Sequence, residues 1–354
     1  MWPYYLVCAG TLCTASLTFA LESHIRAALH KIYLPALLIA LACFAGLRAP
    51  GVDLDYMNHL DWFNRIASDT VTIADFVKDP GYVLICSVIS WMGLHFTAVL
   101  LVIEGITLFA IWCIGRVTVE TRWIAVFVYL VICRFFLPQV MTEIRAAVAI
   151  PLMTLAVFAA MRGKRWLAAI LYLCALGFHL SVLIALPVVI LAISGVEMES
   201  RKWIMAILAS LGIAYVAMHN ILAALADFAR TADYLNGADT TTSIRLLSVY
   251  FLIRVFGVAI AVLLLWKRLS AEGHLIVFCS ALGIALQAVL SFNDTLALRG
   301  SEVFGIFDIL LIMIPFRFIR GFGAVCYLFI VLLLGLVFFH SGLKMVEPYR
   351  IAGI

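Results

Sequence analysis

The stretch Phe322–His340, FGAVCYLFIVLLLGLVFFH, runs nineteen residues without a formal charge. A helix of that length rises about 28 Å, close to the roughly 30 Å hydrocarbon core of a bilayer. Comparable runs recur from one end of the chain to the other. Of the 354 residues, 66% are hydrophobic and only 12% charged, with a mean hydropathy of +1.14; soluble domains carry about 25% charged residues. Such a chain is expected to fold as an all-α, polytopic transmembrane helical bundle. A membrane barrel would need apolar and polar residues to alternate, and they do not.

About twelve spans are expected, near 3–21, 31–47, 96–114, 122–137, 141–161, 165–178, 181–195, 203–219, 246–266, 274–292, 303–319 and 322–340. A further apolar stretch, 81–94, is too short to cross comfortably and is read as re-entrant or interfacial. Short loops rich in Lys and Arg stay cytoplasmic. Six loops are of this kind: 24–31, 116–122, 162–165, 200–202, 267–268 and 317–320. All six agree on one orientation if 81–94 returns to the side it left. Both termini and the loops 48–80, 138–141, 220–245 and 293–302 then face outward. If 81–94 spans, that agreement breaks.

The whole chain, 1–354, is expected to form one membrane domain with large outer loops at 48–80 and 220–245. No internal repeat is evident, which weighs against inverted-repeat transporter folds. The first apolar segment lacks a basic stretch before it and reads as a retained helix. The nine cysteines all lie in apolar segments without CxxC spacing, so they read as small buried hydrophobes rather than metal ligands or disulfides. No run of Lys or Arg suggests nucleic acid.

Polar residues in such a chain need a reason. Loop 48–80 holds six aspartates (53, 55, 61, 69, 75 and 79) among aromatics, including Tyr56, Trp62 and Tyr82. Aromatic rings beside carboxylates suit sugar faces and hydroxyls. Asp53 and Asp55, two apart, would share one face of an extended chain. Glu143 and Arg145 head the apolar run 141–161. The acid suits the positive end of a helix dipole and the cation does not, so Arg145 either snorkels or holds an anion. His179 sits midway in the run 166–194, which is long for one span and short for two, so a turn is expected there. An imidazole at that apex can accept a proton. Arg299 and Glu302 repeat the Glu143/Arg145 pattern at the expected head of the next helix, and Arg230, Tyr234 and Arg245 lie in the second outer loop. Glu104, Arg134, Arg254 and Asp308 fall within spans and should pair inside the bundle, Glu104 with Arg134 or Arg254.

In order, LRAPGVDLDY (47–56), KDPGY (78–82), TEIRAAVAI (142–150), RGKRWLAAILYLCALGFHLSVLIALP (162–187) and LRGSEVFGIFDIL (298–310) resemble the EpsG family of exopolysaccharide proteins. That family is similar to Wzy-type polymerases of the GT-C glycosyltransferase class. The chain departs from the family pattern at Ala146, where glutamine is usual, and at Asp79, where glutamate is usual. The resemblance implies a repeat-unit polymerase at the outer (periplasmic) face of the bacterial inner membrane. The donor would be a growing glycan on polyprenyl (undecaprenyl) diphosphate, and the acceptor a lipid-linked oligosaccharide repeat unit. A chain-length regulator would be a further partner, and no cofactor or metal is implied.

In that chemistry the leaving diphosphate gains charge in the transition state, and cations placed there stabilise it selectively. Arg145 and Arg299 are the first candidates, with Arg245 a third; arginine's planar fork suits phosphate. His179 or Asp55 would take the acceptor's proton, and direct attack would invert the anomeric centre. Asp53, Tyr56, Tyr82, Glu143, Tyr234, Arg245 and Glu302 are the candidate substrate-binding residues. A lipid-linked glycan ligase fits the same residues. A flippase or transporter would predict charges through the full depth, and a non-catalytic assembly subunit would need none of this chemistry.

Overall fold

The computed structural model describes residues 1–20, 29–68, 70, 79–195, 202, 207, 249–291 and 294–352. It divides into two compact units, Met1–Leu183 with Met313–Ile354, and Ile184–Ile312. Both are helical. The described residues contain isolated backbone bridges but no β-strand longer than that.

The first unit contains α1 (Trp2–Ala20), α2 (Leu34–Gly46), α3 (Tyr56–Ala67), α4 (Pro80–Trp91), α5 (Phe96–Thr118), α6 (Ile124–Phe135), α7 (Ile144–Met161) and α8 (Arg165–Phe178), and later α14 (Phe322–Gly342). The most apolar elements are the most enclosed. Every residue of α6 but Arg134 is buried, as is most of α7. Against α6, Trp123 stacks on Phe316 at 4.0 Å and Tyr129 donates to the Leu332 carbonyl of α14 at 2.6 Å. α6 runs on as a π-helical segment, Phe136–Thr142, and the chain then breaks at Glu143 before α7 begins. At the far end of α7, Gly163 takes φ +73°, a left-handed conformation that lets the chain double back at once into α8.

The two ends of α7 differ in character. It is 18 residues long, about 27 Å. Beyond its C-terminus, Arg162 donates to the Val117 carbonyl, and Arg317 donates to the Thr118 carbonyl at 2.7 Å. Three of the loops expected to be cytoplasmic, 116–122, 162–165 and 317–320, therefore meet at one end. At the opposite end the C-terminal segment pairs with the loop after α2. Ala49 donates to the Arg350 carbonyl, Glu347 to Val52, and Ala352 to Leu47, at 2.8–2.9 Å. Tyr349 stacks on Phe44 at 4.1 Å, and Tyr4 of α1 donates to the Glu347 carbonyl at 2.8 Å.

The second unit holds α9 (Leu186–Ser194), α10 (Val249–Ile260), α11 (Ala271–Val289), α12 (Asp294–Glu302) and most of α13 (Gly305–Met313). Its buried polar centre is Arg254 of α10, 2.8 Å from Asp308 of α13 and donating to Gln287 of α11 at 2.6 Å.

Six helices among the described residues are long and apolar enough to cross a bilayer: 96–118, 121–142, 144–161, 250–268, 271–289 and 322–345. Four more, at 30–46, 80–91, 165–178 and 180–194, are apolar but shorter. The segment expected to be short is so: α4 has 12 residues, about 18 Å. The expected span 203–219 and the loop 220–245 lie outside the described residues, apart from Ile207.

Candidate active site

Two glycines bring the site together. Gly81 in the first turn of α4 meets Gly177 in the last turn of α8, where a Cβ on Gly81 would lie 3.0 Å from the Gly177 carbonyl oxygen. Backbones can approach that closely only without side chains. The crossing sets Asp79, just before α4, beside His179, just after α8. The helix does break at His179, which is extended at φ −158°, ψ 121°. Arg145, in the first turn of α7, completes the group.

Asp79 is the hub. It is 1% exposed. Its Oδ2 accepts a charge-assisted hydrogen bond from Arg145 Nη1, and its Oδ1 lies 3.9 Å from His179 Nδ1. The Arg145 and His179 side chains keep 23% and 22% of their surface open. A buried carboxylate thus orients a cation and an imidazole that both reach an opening.

Helix α3 backs this group. Its buried residues, Tyr56, His59, Trp62, Phe63 and Ile66, follow the three- and four-residue spacing of one helical face. Trp62 lies under the Arg145 guanidinium, 4.9 Å from ring centroid to Cζ, and packs on Tyr82 at 5.0 Å. Tyr82 in turn donates to the His59 carbonyl at 3.1 Å. Burial, then the charges of Arg145 and Arg48, push the pKa of His59 down from 6.5 to about 3. His59 Nε2 and Trp62 Nε1 find no partner among the described residues.

A second arginine cluster lies in the same unit. Arg48 is fully buried. Its Nε donates to Asp53 at 2.6 Å and its Nη1 to the Ala45 carbonyl at 2.6 Å, while its Nη2 donates to the Met141 carbonyl. Glu104 reaches Nη1 at 3.4 Å. This corrects the expected partners of both in-span charges: Glu104 pairs with Arg48, and Arg254 with Asp308. A side chain outside the apolar runs, at the start of the outer loop, folds back to meet the helix charge.

Of the predicted site residues, the structure brings Arg145, His179 and Tyr82 together around Asp79. Asp53 is committed to Arg48; burial raises its pKa and Arg48 opposes the rise without cancelling it. Asp53 and Asp55 do not share an extended face, because the chain turns at Asp55 (φ −105°, ψ −3°), which precedes α3 and accepts from Asn58 at 3.2 Å. Tyr56 is buried with its ring 5.9 Å from the Arg48 guanidinium. Glu143 is half-buried at the head of α7, and its side chain makes no cap hydrogen bond to the helix. Arg299 and Glu302 belong to the second unit. They do not head the helix that follows; residues 294–302 form their own short helix, α12, with Arg299 in its last turn, where a cation suits the helix dipole. Tyr234 and Arg245 lie outside the described residues.

From the sequence, Asp79 and Trp62 stood only among the loop's acids and aromatics, and His59 did not stand out at all. The spacing of α3 offered a signal for the last two. Asp79 stood in the KDPGY motif but looked like one of six similar loop acids.

The helices and this site define a polytopic helical membrane protein with a half-open arginine–aspartate–histidine group at one end of its larger unit. More particularly, the chain belongs to the EpsG family, whose family model matches residues 31–350. That is a family of Wzy-like polymerases, and membership makes the chain an exopolysaccharide-polymerase-like membrane protein, consistent with glycosyltransferase chemistry. Searches of curated proteins and of solved structures give no match.

Proposed function

We propose that the protein is a polysaccharide polymerase that transfers a growing glycan from polyprenyl diphosphate onto a lipid-linked repeat unit. The observation that carries this reading is the buried Asp79 carboxylate flanked by Arg145 and His179, both open on one side. Asp79 faces His179 Nδ1, which leaves Nε2 to take the proton of the acceptor hydroxyl. The hydroxyl oxygen attacks the anomeric carbon, the bond from that carbon to the diphosphate breaks, and the anomeric centre inverts. Arg145 holds the leaving diphosphate where its charge grows, without a metal ion. Arg299 and Arg245 are further candidate cations for lipid-linked diphosphates.

The reaction would take place at the outer face of the bacterial inner membrane, in one GT-C-type membrane domain of about twelve spans with 81–94 re-entrant or interfacial. The meeting of three basic loops at the end of α7 opposite the site supports that orientation.

Purified protein given a synthetic polyprenyl-diphosphate-linked repeat unit, without nucleotide sugar, should produce a ladder of lengthened products. Arg145→Ala should remove the ladder while the protein remains in the membrane. A wild-type protein that yields no lengthened product, or transfers only once to a different acceptor, would overturn the polymerase reading.

A further inference from the structure

Arg48 lies deep in the first unit, away from the opening, and the proposed chemistry does not use it. Its guanidinium touches the end of α2 (Ala45 carbonyl), the following loop (Asp53), α5 (Glu104) and the π-helical segment before α7 (Met141 carbonyl). Three stretches far apart in sequence, 45–53, Glu104 and Met141, converge on one planar group, whose fork can aim donors in several directions at once.

The Met141 contact matters most. The π-helical segment stops at Thr142, and Glu143 takes non-helical φ −91°, ψ 56°, so regular helix is interrupted just where the chain must deliver Arg145. Arg48 pins the interruption from outside, on the Met141 carbonyl. Arg145 follows four residues after Met141. Arg48 is itself fixed by the C-terminal segment, whose residues 347, 350 and 352 pair with the loop 47–52.

We infer that Arg48 is a positioning residue: held by Asp53 and closed over by the C-terminal segment, it anchors the Met141 carbonyl and so sets where Arg145 stands. Its link to catalysis rests on the polymerase reading above; its effect on the chain does not. Glu104, at 3.4 Å, is the surplus acceptor, since Asp53 at 2.6 Å already matches the charge of Arg48.

Removing Arg48 alone would strand two buried carboxylates and so destabilise the fold. The informative variant neutralises the cluster, Arg48→Met with Asp53→Asn and Glu104→Gln, a kind of exchange that folded proteins often accept. Hydrogen exchange in detergent should show the amides of residues 143–147 exchanging at least about tenfold faster, while α11 in the other unit stays unchanged. With the lipid-linked substrate, kcat should fall by about 10²-fold with KM nearly unchanged. Glu104→Gln alone, which keeps an acceptor oxygen, should match the wild type in both readouts. Unchanged exchange at 143–147 in the triple variant overturns the inference whatever the activity. So does faster exchange with an unchanged kcat. The exchange comparison needs no substrate, so it stands even if the wild type makes no polymer.

Discussion

Two arginine–aspartate pairs of the first unit, Arg48–Asp53 and Arg145–Asp79, differ in one physical respect. Arg48 and Asp53 show no side-chain surface at all, whereas Arg145 keeps 23% of its surface beside a buried Asp79. In the sealed pair the guanidinium is spent on two backbone carbonyls and two carboxylates, and nothing remains for a ligand. In the open pair one nitrogen goes to Asp79, one face covers Trp62, and the rest of the fork reaches the opening. The Arg254–Asp308 pair of the second unit is sealed as well, 2.8 Å apart, but Arg254 Nη2 and Asp308 Oδ1 find no hydrogen-bond partner among the described residues. Taking two charges out of water helps a fold only when each is fully matched; leaving one side of a cation uncovered makes sense where an anion is to be received.

That contrast predicts opposite results from similar mutations. Arg145→Lys keeps a charge on Asp79 but loses the planar fork, so turnover should fall about 10²–10³-fold with little change in the thermal midpoint. Asp53→Asn leaves the buried Arg48 charge poorly matched and should cost about 3–5 kcal/mol of stability, read as a lowered midpoint and yield, while the protein that folds loses far less activity. Polymerisation assays paired with thermal unfolding in detergent measure both. A variant at Arg145 that fails only by unfolding, or one at Asp53 that fails only in rate, would invert the assignment.

The next test sharpens what makes the open pair open. A Cβ on Gly81 would meet backbone atoms, the Gly177 carbonyl oxygen at 3.0 Å and its carbon at 3.1 Å. Gly81→Ala should therefore push α4 from α8 and part Asp79 from His179, lowering turnover about tenfold or more and stability by about 1–3 kcal/mol. The reverse change meets Gly81 N at 3.7 Å and Gly81 Cα at 3.9 Å, ordinary van der Waals contact. Gly177→Ala should be neutral or add up to about 1 kcal/mol through helix propensity. Equal effects from the two would show that the crossing does not hold the site.

Much of this was legible in the sequence because it is local. Apolar runs of about twenty residues announce helices, and the run 166–194 was the wrong length for anything but a break near His179. Arg145 stood out because a cation at a helix head has no local justification. Asp79 did not stand out: its partners lie 66 and 100 residues away, and only the chain's crossing at Gly81 and Gly177 separates it from the neighbouring loop acids. Burial is likewise a property of the assembled unit, which is why Asp53 could be read as a sugar ligand and Glu104 given the wrong arginine. The turn at Asp55, which undid the shared face with Asp53, is a backbone choice that two-residue spacing does not reveal.

The smallest effect concerns the ring behind both pairs. His59 is 4% exposed and sits near Arg145 and Arg48, which together with burial hold its pKa at about 3 against the ordinary 6.5. The unfolded chain therefore takes up a proton first as the pH falls, and stability rises with pH across that interval. Stability should be level above about pH 7. Below the ordinary value of 6.5 it should decline by up to about 1.4 kcal/mol for each further pH unit, until the folded form protonates near 3. Carboxylates of the unfolded chain titrate at about 4, so the cleaner window is pH 6.5 to 5. His59→Leu should flatten the decline there. A midpoint–pH curve with the same slope in the variant would mean that the ring is already solvated, and the wall that closes the sealed pair off from the open one would have to be placed elsewhere.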